Sequence, residues 1–260
     1  MMKYTASLHT HTARCHHAGG TEREYIEKAI AEGLSVIGFA DHAPYEFPDG
    51  YVSNFRMRAS EMEDYFTTLL ELRDEYRGKI DVKIGFEAEY YPALFEDFMK
   101  SLEPYPIDYL ILGQHYLDNE TSRRYSGVTT DDASYLADYV DQVSEGIRTG
   151  VYSYVAHPDL VNFIGDSEVY DREYSRLIEC ACEVGVPLEI NLLGLRAGRH
   201  YPNERFISLC GKMGAPMCIG ADAHRPEDAA DTASAQRAFA LMEKYGVRYV
   251  ESVPLRPVKI

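Results

Sequence analysis

The sequence predicts an α/β protein built as a (β/α) barrel. Short apolar runs, many of them β-branched, alternate with longer segments of helical periodicity, and polar residues follow each run. Strands separated by helices pair in parallel, because the chain must cross over the sheet between them. Seven or eight such units in a chain of 260 residues suit a closed barrel. A doubly wound open sheet is the alternative.

The predicted strands are the apolar runs, of which the last is the weakest. They are Tyr4–Leu8, Ser35–Phe39, Val82–Phe86, Tyr109–Leu112, Tyr152–Ala156, Pro187–Ile190, Met217–Ile219 and Val247–Val250. The segments between them with helical patterns are Thr21–Glu32, Ser60–Glu75, Thr130–Arg148, Asp171–Glu183, Asn203–Met213 and Pro226–Tyr245. The first of these opens with Thr21 and Glu24, which have the spacing of a capping box.

The composition disfavours several classes of function. The formal net charge is −16, which argues against a non-specific nucleic-acid binder because such proteins need cationic side chains. A phosphate-bearing substrate stays open, since bound divalent cations reverse the sign of the charge inside a pocket. No apolar run is long enough for a signal peptide or a membrane span. Five scattered cysteines predict reduced thiols in a cytoplasmic protein.

Residues able to bind metal ions follow nearly every predicted strand. In chain order these strand exits carry His9, His11, His17, Asp41, His42, Glu87, Glu89, His115, His157, Asn191, Asp222 and His224. The carboxyl ends of barrel strands meet on one face, and active sites assemble there. The sequence therefore predicts that residues far apart along the chain meet in one pocket.

Each of these signals is weak alone, and only the joint pattern predicts a metal site. His9 and His11 alternate along a strand, so both side chains share a face and suit one ion. Single histidines such as His115 and His157 are more often buried without any metal. Imidazoles and carboxylates suit zinc, manganese or iron, and their number here suits two or three divalent ions. Such a cluster fits phosphoryl transfer or amidohydrolase-type hydrolysis at carbon, and composition does not separate the two.

Seven motifs in a fixed order give the sequence a family resemblance. They are HTHTARCHHAGG, FADHAPY, GFEAEY, GQHY, AHPDL, EINLLGLR and IGADAHRPED, and they extend from His9 to about Asp228. In this order they resemble the polymerase-and-histidinol-phosphatase (PHP) superfamily, and together its histidinol-phosphatase branch. The resemblance implies a distorted seven-stranded (β/α) barrel, and we expect a single PHP-type domain over residues 1–260.

The resemblance also implies a set of ligands for three ions. One ion would be held by His9, His11, Glu87 and Asp222, a second by Glu87, His115 and His157, and a third by His17, His42 and His224. The doubled His16 and His17 leaves the third set ambiguous by one residue, and motif spacing favours His17. Asp41 would orient an imidazole or cap a strand.

A phosphate group needs cationic contacts beyond the metals, and the planar guanidinium of arginine suits it. The segment EINLLGLRAGRHYP offers Arg196 first, with Arg199 and His200 as second choices. Arg14 and Arg56 lie in loops after other strands. We expect Glu87, Asp222 and Arg196 to act in catalysis. The leaving alkoxide needs a proton or a metal contact, and Asp222 and a non-ligating histidine are the candidates to supply it.

The predicted activity is hydrolysis of a small phosphomonoester, specifically L-histidinol phosphate in histidine biosynthesis. One alternative is a PHP-family phosphoesterase that acts on another small phosphate ester or on a nucleotide. The other is a non-catalytic metal-binding module, since barrels of this type occur within polymerases. The short stretch after the last motif and the full ligand set disfavour that module. We expect neither a nucleic-acid nor a membrane partner.

Overall fold

The computed structural model describes residues 2–259, and most of its strands form one curled, wholly parallel sheet. The strands of this sheet are β1 (Ala6–Ser7), β2 (Val36–His42), β3 (Asp81–Ala88), β4 (Tyr109–Leu112), β6 (Tyr152–Val155), β8 (Leu188–Asn191), β9 (Pro216–Gly220) and β10 (Arg248–Tyr249). Two further short strands, β5 (Thr129–Thr130) and β7 (Asn162–Phe163), pair with each other.

The sheet curls until its first strand meets its seventh. Neighbours follow the order β1, β2, β3, β4, β6, β8, β9, β10. Beyond the carboxyl ends of β1 and β9, the backbone N–H of His11 donates to the carbonyl oxygen of Ala223 at 2.9 Å. The last strand, β10, instead pairs with the beginning of β9, at Pro216 and Met217. The barrel is therefore joined at its carboxyl end, which excludes the doubly wound open sheet.

The helices lie between successive strands. They are α1 (Glu22–Ala31), α2 (Met62–Glu75), α3 (Phe95–Leu102), α4 (Ala133–Arg148), α5 (Ser167–Val184), α6 (Leu192–Ala197), α7 (Glu204–Met213) and α8 (Thr232–Tyr245). The predicted capping box is present, because Thr21 and Glu24 each accept the other's backbone N–H. Within residues 2–259, no helix is both long enough and apolar enough to cross a bilayer.

All eight predicted strands are present, whereas the helix predictions need four corrections. The helix predicted from Thr130 begins at Ala133, because Thr130 lies in β5 and Asp132 caps the helix by accepting from the N–H of Ser134. The short helices α3 and α6 were not predicted. The helix predicted from Pro226 begins at Thr232, because Pro226 opens a separate 3-10 turn and Asp231 caps α8 by accepting from the N–H of Ser234. The helix predicted from Asp171 begins earlier, because Asp166 caps it by accepting from the N–H of Glu168.

Apolar side chains fill the amino end of the barrel interior and leave its carboxyl end to polar groups. Leu8, Tyr109, Tyr154 and Cys218 belong to one buried cluster there. The hydroxyl of Tyr109 donates to the carbonyl oxygen of Leu8 at 2.7 Å, which satisfies the buried phenol. This packing closes the barrel from below, so the carboxyl end is where a site open to solvent can form.

Candidate metal centre

The nine predicted metal ligands lie together at the carboxyl ends of the strands. They are His9, His11 and His17 after β1, His42 on β2, Glu87 on β3, His115 after β4, His157 after β6, and Asp222 and His224 after β9. Because parallel strands bring their carboxyl ends to one face, short local segments deliver all nine side chains to the same place. The structure thus brings together residues from six strand ends.

Glu87 lies between two sets of imidazoles. Its Oε2 lies 3.4 Å from His9 Nε2 and 3.5 Å from His11 Nε2. Its Oε1 faces the other set, 2.7 Å from His157 Nε2 and 3.5 Å from His115 Nε2. His42 Nδ1 also lies 3.1 Å from Oε2. Each oxygen therefore faces a different set of histidines, which is the arrangement required of a carboxylate that bridges two ions.

Asp222 connects this group to a further set of imidazoles. Its Oδ1 lies 3.3 Å from His11 Nε2 and 3.4 Å from His224 Nδ1. Nitrogens of His11, His42 and His224 lie within 4.8 Å of one another. His224 Nε2 is also 2.9 Å from His17 Nε2. The third predicted ligand set is therefore also brought together.

The hydrogen bonds of His17 and His224 fix which nitrogen carries a lone pair. Nδ1 of His17 contacts the carbonyl oxygen of Cys15 at 2.8 Å, and Nδ1 of His224 contacts that of Asp222 at 3.3 Å. Only an N–H donates to a carbonyl, so in the neutral rings both Nε2 atoms carry lone pairs. Two lone pairs 2.9 Å apart repel each other unless a cation lies against both.

Other buried imidazole nitrogens in the cluster have no hydrogen-bond partner. Among the described residues they are His9 Nε2, both ring nitrogens of His11, His42 Nδ1 and His157 Nδ1. Buried polar atoms are nearly always paired, so each of these needs an explanation. His9 Nδ1 donates to Glu189 at 2.8 Å, and His9 Nε2 is left facing Glu87 at 3.4 Å. Divalent cations would satisfy the nitrogens that face the carboxylates, and the donor set therefore fits metal ions.

The protonation states of Glu87, Asp222 and His224 suit cations, whereas burial of His11 is outweighed by Asp222 and Asp41, which raise the pKa of that ring to about 9. Burial would raise the pKa of Glu87, but His115 and His9 outweigh it and hold that pKa well below its ordinary value. The pKa of Asp222 is likewise held well below its usual range, because His9 and His11 outweigh burial. Burial, and after it His11, lowers the pKa of His224 to about 3. The carboxylates are therefore ionised and His224 stays neutral, as metal ligands must be.

A second layer of carboxylates orients the imidazoles. Glu189, fully buried on β8, accepts from His9 Nδ1 and from the backbone N–H of His157 at 2.9 Å. Asp41 lies 3.4 Å from His11 Nδ1 and accepts the backbone N–H of His42 at 3.0 Å. Asp41 thus lies next to an imidazole and near the end of β2, a position compatible with either predicted role. Such partners fix the orientation and basicity of ligating histidines.

Two glycines make room for the buried carboxylates. A Cβ on Gly113 would lie 2.0 Å from Glu87 Oε1, and one on Gly220 would lie 1.7 Å from Glu189 Oε1. No side chain fits at those distances, so any other residue would displace the carboxylate. The glycines of the GQHY and IGADAH motifs are therefore part of the architecture of the site.

The cluster forms the floor of a cavity of about 520 Å³. Its walls include the aromatic rings of Phe55, Tyr116, Tyr125 and Tyr201. The lining also includes two cationic and two acidic side chains, which are Arg199, Arg225, Glu227 and Asp228. This volume is in the range of pockets that bind small molecules.

The predicted substrate contacts are only partly at this cavity. Arg199 lines it and donates to the hydroxyl of Tyr201 at 2.5 Å. Arg196, the first choice, instead donates to the carbonyl oxygens of Ala221 and Asp222, each at 2.8 Å. Its guanidinium thus holds the segment that carries Asp222, and this position does not support the predicted contact with substrate.

Three other predicted contacts also lie outside the cavity lining. Arg14 is ion-paired with Glu22 and Asp64. His200 Nε2 contacts the carbonyl oxygen of Leu160 at 2.7 Å. Arg56 is 1% exposed and is enclosed by carboxylates. The sequence placed these residues in loops near strand exits but did not show where their side chains turn.

Some residues of the site were not predicted. Glu189 precedes Asn191 by two positions on β8, and strand alternation places both on one face. That spacing was the available signal. Arg225, within the motif IGADAHRPED, is exposed at the cavity. The aromatic wall was not predicted, although Tyr116 closes the motif GQHY and Tyr201 lies in the segment EINLLGLRAGRHYP.

Comparisons with known proteins agree with this geometry. The PHP domain family matches residues 7–192. The chain belongs to the PHP family. Its relatives include a probable histidinol-phosphatase of Deinococcus radiodurans, 30% identical over 226 residues that cover 84% of this chain and 85% of that protein. The histidinol-phosphatase of Bacillus subtilis is 29% identical over 252 residues, 85% of this chain and 93% of that one.

A solved structure shares the PHP fold. The crystal structure of histidinol phosphate phosphatase from Lactococcus lactis, complexed with zinc, L-histidinol and phosphate, matches with a TM-score of 0.73. The match covers 96% of this chain and 99% of that one at 18% identity. The prediction of a distorted PHP-type barrel is confirmed.

Proposed function

We propose that this PHP protein is a metal-dependent phosphomonoesterase that hydrolyses L-histidinol phosphate to L-histidinol and phosphate in histidine biosynthesis. The observation that carries the proposal is Glu87 between two sets of imidazoles at the floor of a small-molecule cavity. Two relatives that match along most of their length are named a probable histidinol-phosphatase and a histidinol-phosphatase, which supports this choice of substrate.

The proposed ligand sets follow the three groups in the cluster. His9, His11, Glu87 and Asp222 would hold one ion, Glu87, His115 and His157 a second, and His17, His42 and His224 a third. The paired Nε2 atoms of His17 and His224 support His17 over His16, whose Nε2 lies 3.8 Å from Glu61 instead. Zinc, manganese and iron all suit such ligands.

The charges in the cavity explain why cations are needed. Glu87 and Asp222 are ionised and would repel a phosphate group by themselves. When bound, divalent ions acidify water and neutralise charge on the transferred phosphoryl group. Arg199 and Arg225 add positive charge where the phosphate would enter. The low pKa of Asp222 suits a ligand better than a proton donor.

The rest of the cavity suits the organic part of this substrate. Histidinol carries a flat imidazole ring and an ammonium group. The rings of Tyr116, Tyr125 and Tyr201 offer faces on which a planar ring stacks. Glu227 and Asp228 offer carboxylates to the ammonium group. We propose this orientation, with the phosphate toward the histidine cluster.

We also propose that residues 1–260 work as one domain. Val250, Val253 and Leu255, after the last strand, pack against the cluster that closes the amino end of the barrel. Arg256 then donates to the carbonyl oxygen of Val184 at the end of α5. The segment after β10 is thus part of the same packed unit.

The test is a comparison of substrates on the purified protein loaded with Zn²⁺ or Mn²⁺. We expect kcat/KM for L-histidinol phosphate to exceed that for a generic aryl phosphate by at least about 100-fold, because binding the ring and ammonium group adds recognition. A Glu87→Gln variant should hydrolyse neither. Equal rates on both substrates would reject the specific assignment and leave a phosphoesterase of other specificity. Full activity of Glu87→Gln would reject the metal mechanism.

A further inference from the structure

Arg56 is the centre of a buried charge network beside the metal centre. It lies in the segment between β2 and α2, and its side chain is 1% exposed. Its NH1 and NH2 donate to the two oxygens of Glu89, each at 2.6 Å, and its Nε donates to Glu120 at 2.7 Å. One guanidinium therefore holds two carboxylates from separate parts of the chain.

The network reaches a proposed metal ligand through Glu89. Oε1 of Glu89, which accepts from Arg56, also accepts from Nδ1 of His115 at 2.9 Å. With Nδ1 donating, the lone pair of His115 lies on Nε2, on the side of Glu87. The orientation of that lone pair therefore depends on where Glu89 is held.

We infer that Arg56 is a positioning residue that acts through Glu89 to hold His115 in its metal-binding orientation. For its effect on catalysis, this inference rests on the proposed function. The two parallel hydrogen bonds of the fork fix both oxygens of Glu89, which a single point charge does not do. A buried arginine between two carboxylates is costly for stability alone, so a role in specifying geometry gives a reason for it.

The same guanidinium also anchors the loop above the site. Its carbon lies 4.5 Å from the centre of the Phe55 ring. That ring in turn packs edge-on against His42, with ring centres 5.1 Å apart. The far carboxylate, Glu120, accepts from the hydroxyl of Tyr51 at 2.8 Å and contacts no histidine among the described residues. Arg56 thus has two contacts with different roles. Its hydrogen bonds to Glu89 connect it to His115, and its hydrogen bond to Glu120 connects it to the loop.

The experiment compares loss of the contact of Arg56 with Glu120 alone and loss of its contacts with both Glu120 and Glu89. Arg56→Met alone would leave two buried carboxylates unpaired and endanger folding. The double variant R56M/E120Q removes one positive and one negative charge together, and Glu120→Gln is its matched control because it keeps Arg56 on Glu89. Each protein is loaded with Zn²⁺, and the release of the ion to a chelator is followed without substrate, with metal per chain measured by elemental analysis.

We expect R56M/E120Q to lose an ion about 10- to 100-fold faster than Glu120→Gln, as loss of outer contacts to a ligating histidine does. Excess Zn²⁺ should restore part of its kcat, which a merely structural role would not predict. R56K/E120Q should fall between the two, because lysine keeps the charge but not the fork.

Equal release rates in R56M/E120Q and Glu120→Gln would overturn the inference. If R56M/E120Q does not fold, the same comparison is made with R56K/E120Q, and equal rates there overturn it as well. Arg73→Met, which breaks the ion pair with Asp108 just before β4, controls for lost stability and should release metal like the wild type. Failure of the wild type to hydrolyse histidinol phosphate would reject the proposed function alone, since metal release needs no substrate.

Discussion

At the scale of single residues, the hydrogen bond on one nitrogen of a histidine decides what the other nitrogen can do. His9 donates from Nδ1 to Glu189, His115 donates to Glu89, and His17 donates to a backbone carbonyl. In its neutral form each ring therefore presents an Nε2 lone pair to the cluster. The site depends as much on these second partners as on the imidazoles themselves.

The choice between His16 and His17 gives a paired prediction. We expect His17→Ala to lower the metal content per chain and to reduce kcat/KM by at least about 10-fold, because its Nε2 faces that of His224. His16→Ala is the matched control, since its ring lies near Glu61. Elemental analysis and steady-state kinetics measure both. Loss of metal from His16→Ala but not from His17→Ala would reverse the assignment.

Gly113 provides a second prediction at this scale. Gly113→Ala would place a methyl group 2.0 Å from Glu87 Oε1 and push the carboxylate aside. We expect kcat to fall about 100-fold, the effect of displacing a reacting group by about 1 Å. Gly19→Ala is the control, because a Cβ there meets no atom within 4 Å. Equal kcat values for Gly113→Ala and Gly19→Ala would contradict this role for Gly113.

At the scale of helices and strands, local signals decide where elements begin and long-range packing decides which of them exist. Asp166 caps α5 and Asp231 caps α8, each through its own side chain. The capping residues explain why these helices do not start where apolar periodicity suggested. The six residues of α6 form a helix because Asn191 at the end of β8 caps it by accepting from the N–H of Gly194.

Glu173 on α5 gives a pH-dependent prediction. Burial would raise its pKa, but Arg176 and Arg172 outweigh it and hold the pKa below the ordinary value. The ionised form therefore stabilises the fold above the unfolded pKa, near 4.3, and this contribution disappears as the pH falls through the lower folded pKa. Glu173→Gln should cost up to about 1 kcal/mol at pH 7, since both arginines are exposed.

Chemical denaturation at several pH values measures this effect. The difference in the free energy of unfolding between Glu173→Gln and the wild type should shrink toward zero in strong acid. Glu183→Gln, an exposed position on the same helix, is the control and should behave as the wild type at every pH. A loss of stability in Glu173→Gln that grows as the pH falls would contradict the prediction.

At the scale of the whole molecule, an acidic protein concentrates negative charge where its substrate would bind. The net charge is −16, and Glu87, Glu89, Glu189, Asp41 and Asp222 are all buried at the carboxyl end of the barrel. Like charges in a buried site repel each other, so the folded protein and an anionic substrate both need cations there.

Removal of the metal ions by a chelator tests whether cations offset this buried negative charge. Removal of the ions should abolish activity and lower the Tm by about 5 to 10 °C, the shift expected for losing a ligand present at 100 times its Kd from a chain of this size. Added Zn²⁺ or Mn²⁺ should restore both activity and Tm. Thermal unfolding with and without chelator, alongside the assay, measures this. An unchanged Tm together with unchanged activity would contradict metal binding at the cluster.

Much of the fold and of the metal site was predictable because the signals are local. A strand exit is visible as an apolar run followed by a polar residue, so His9, His42, His115 and Asp222 could be placed without coordinates. The family motifs covered nearly the whole chain and fixed the order of those exits. Arg56 and Arg196 were misplaced because a long side chain turns toward partners that are distant in sequence, and loop position does not reveal them.

The parallel strands, the PHP family and the residue types able to bind metal were readable from the sequence alone, since strand periodicity and residue type are properties of short segments. The folded barrel was needed to show which oxygen of Glu87 faces which histidines, which arginines reach the cavity, and which one is enclosed by Glu89 and Glu120. The physical reason is that side-chain orientation is set by hydrogen bonds and packing between segments, which form only when the barrel closes.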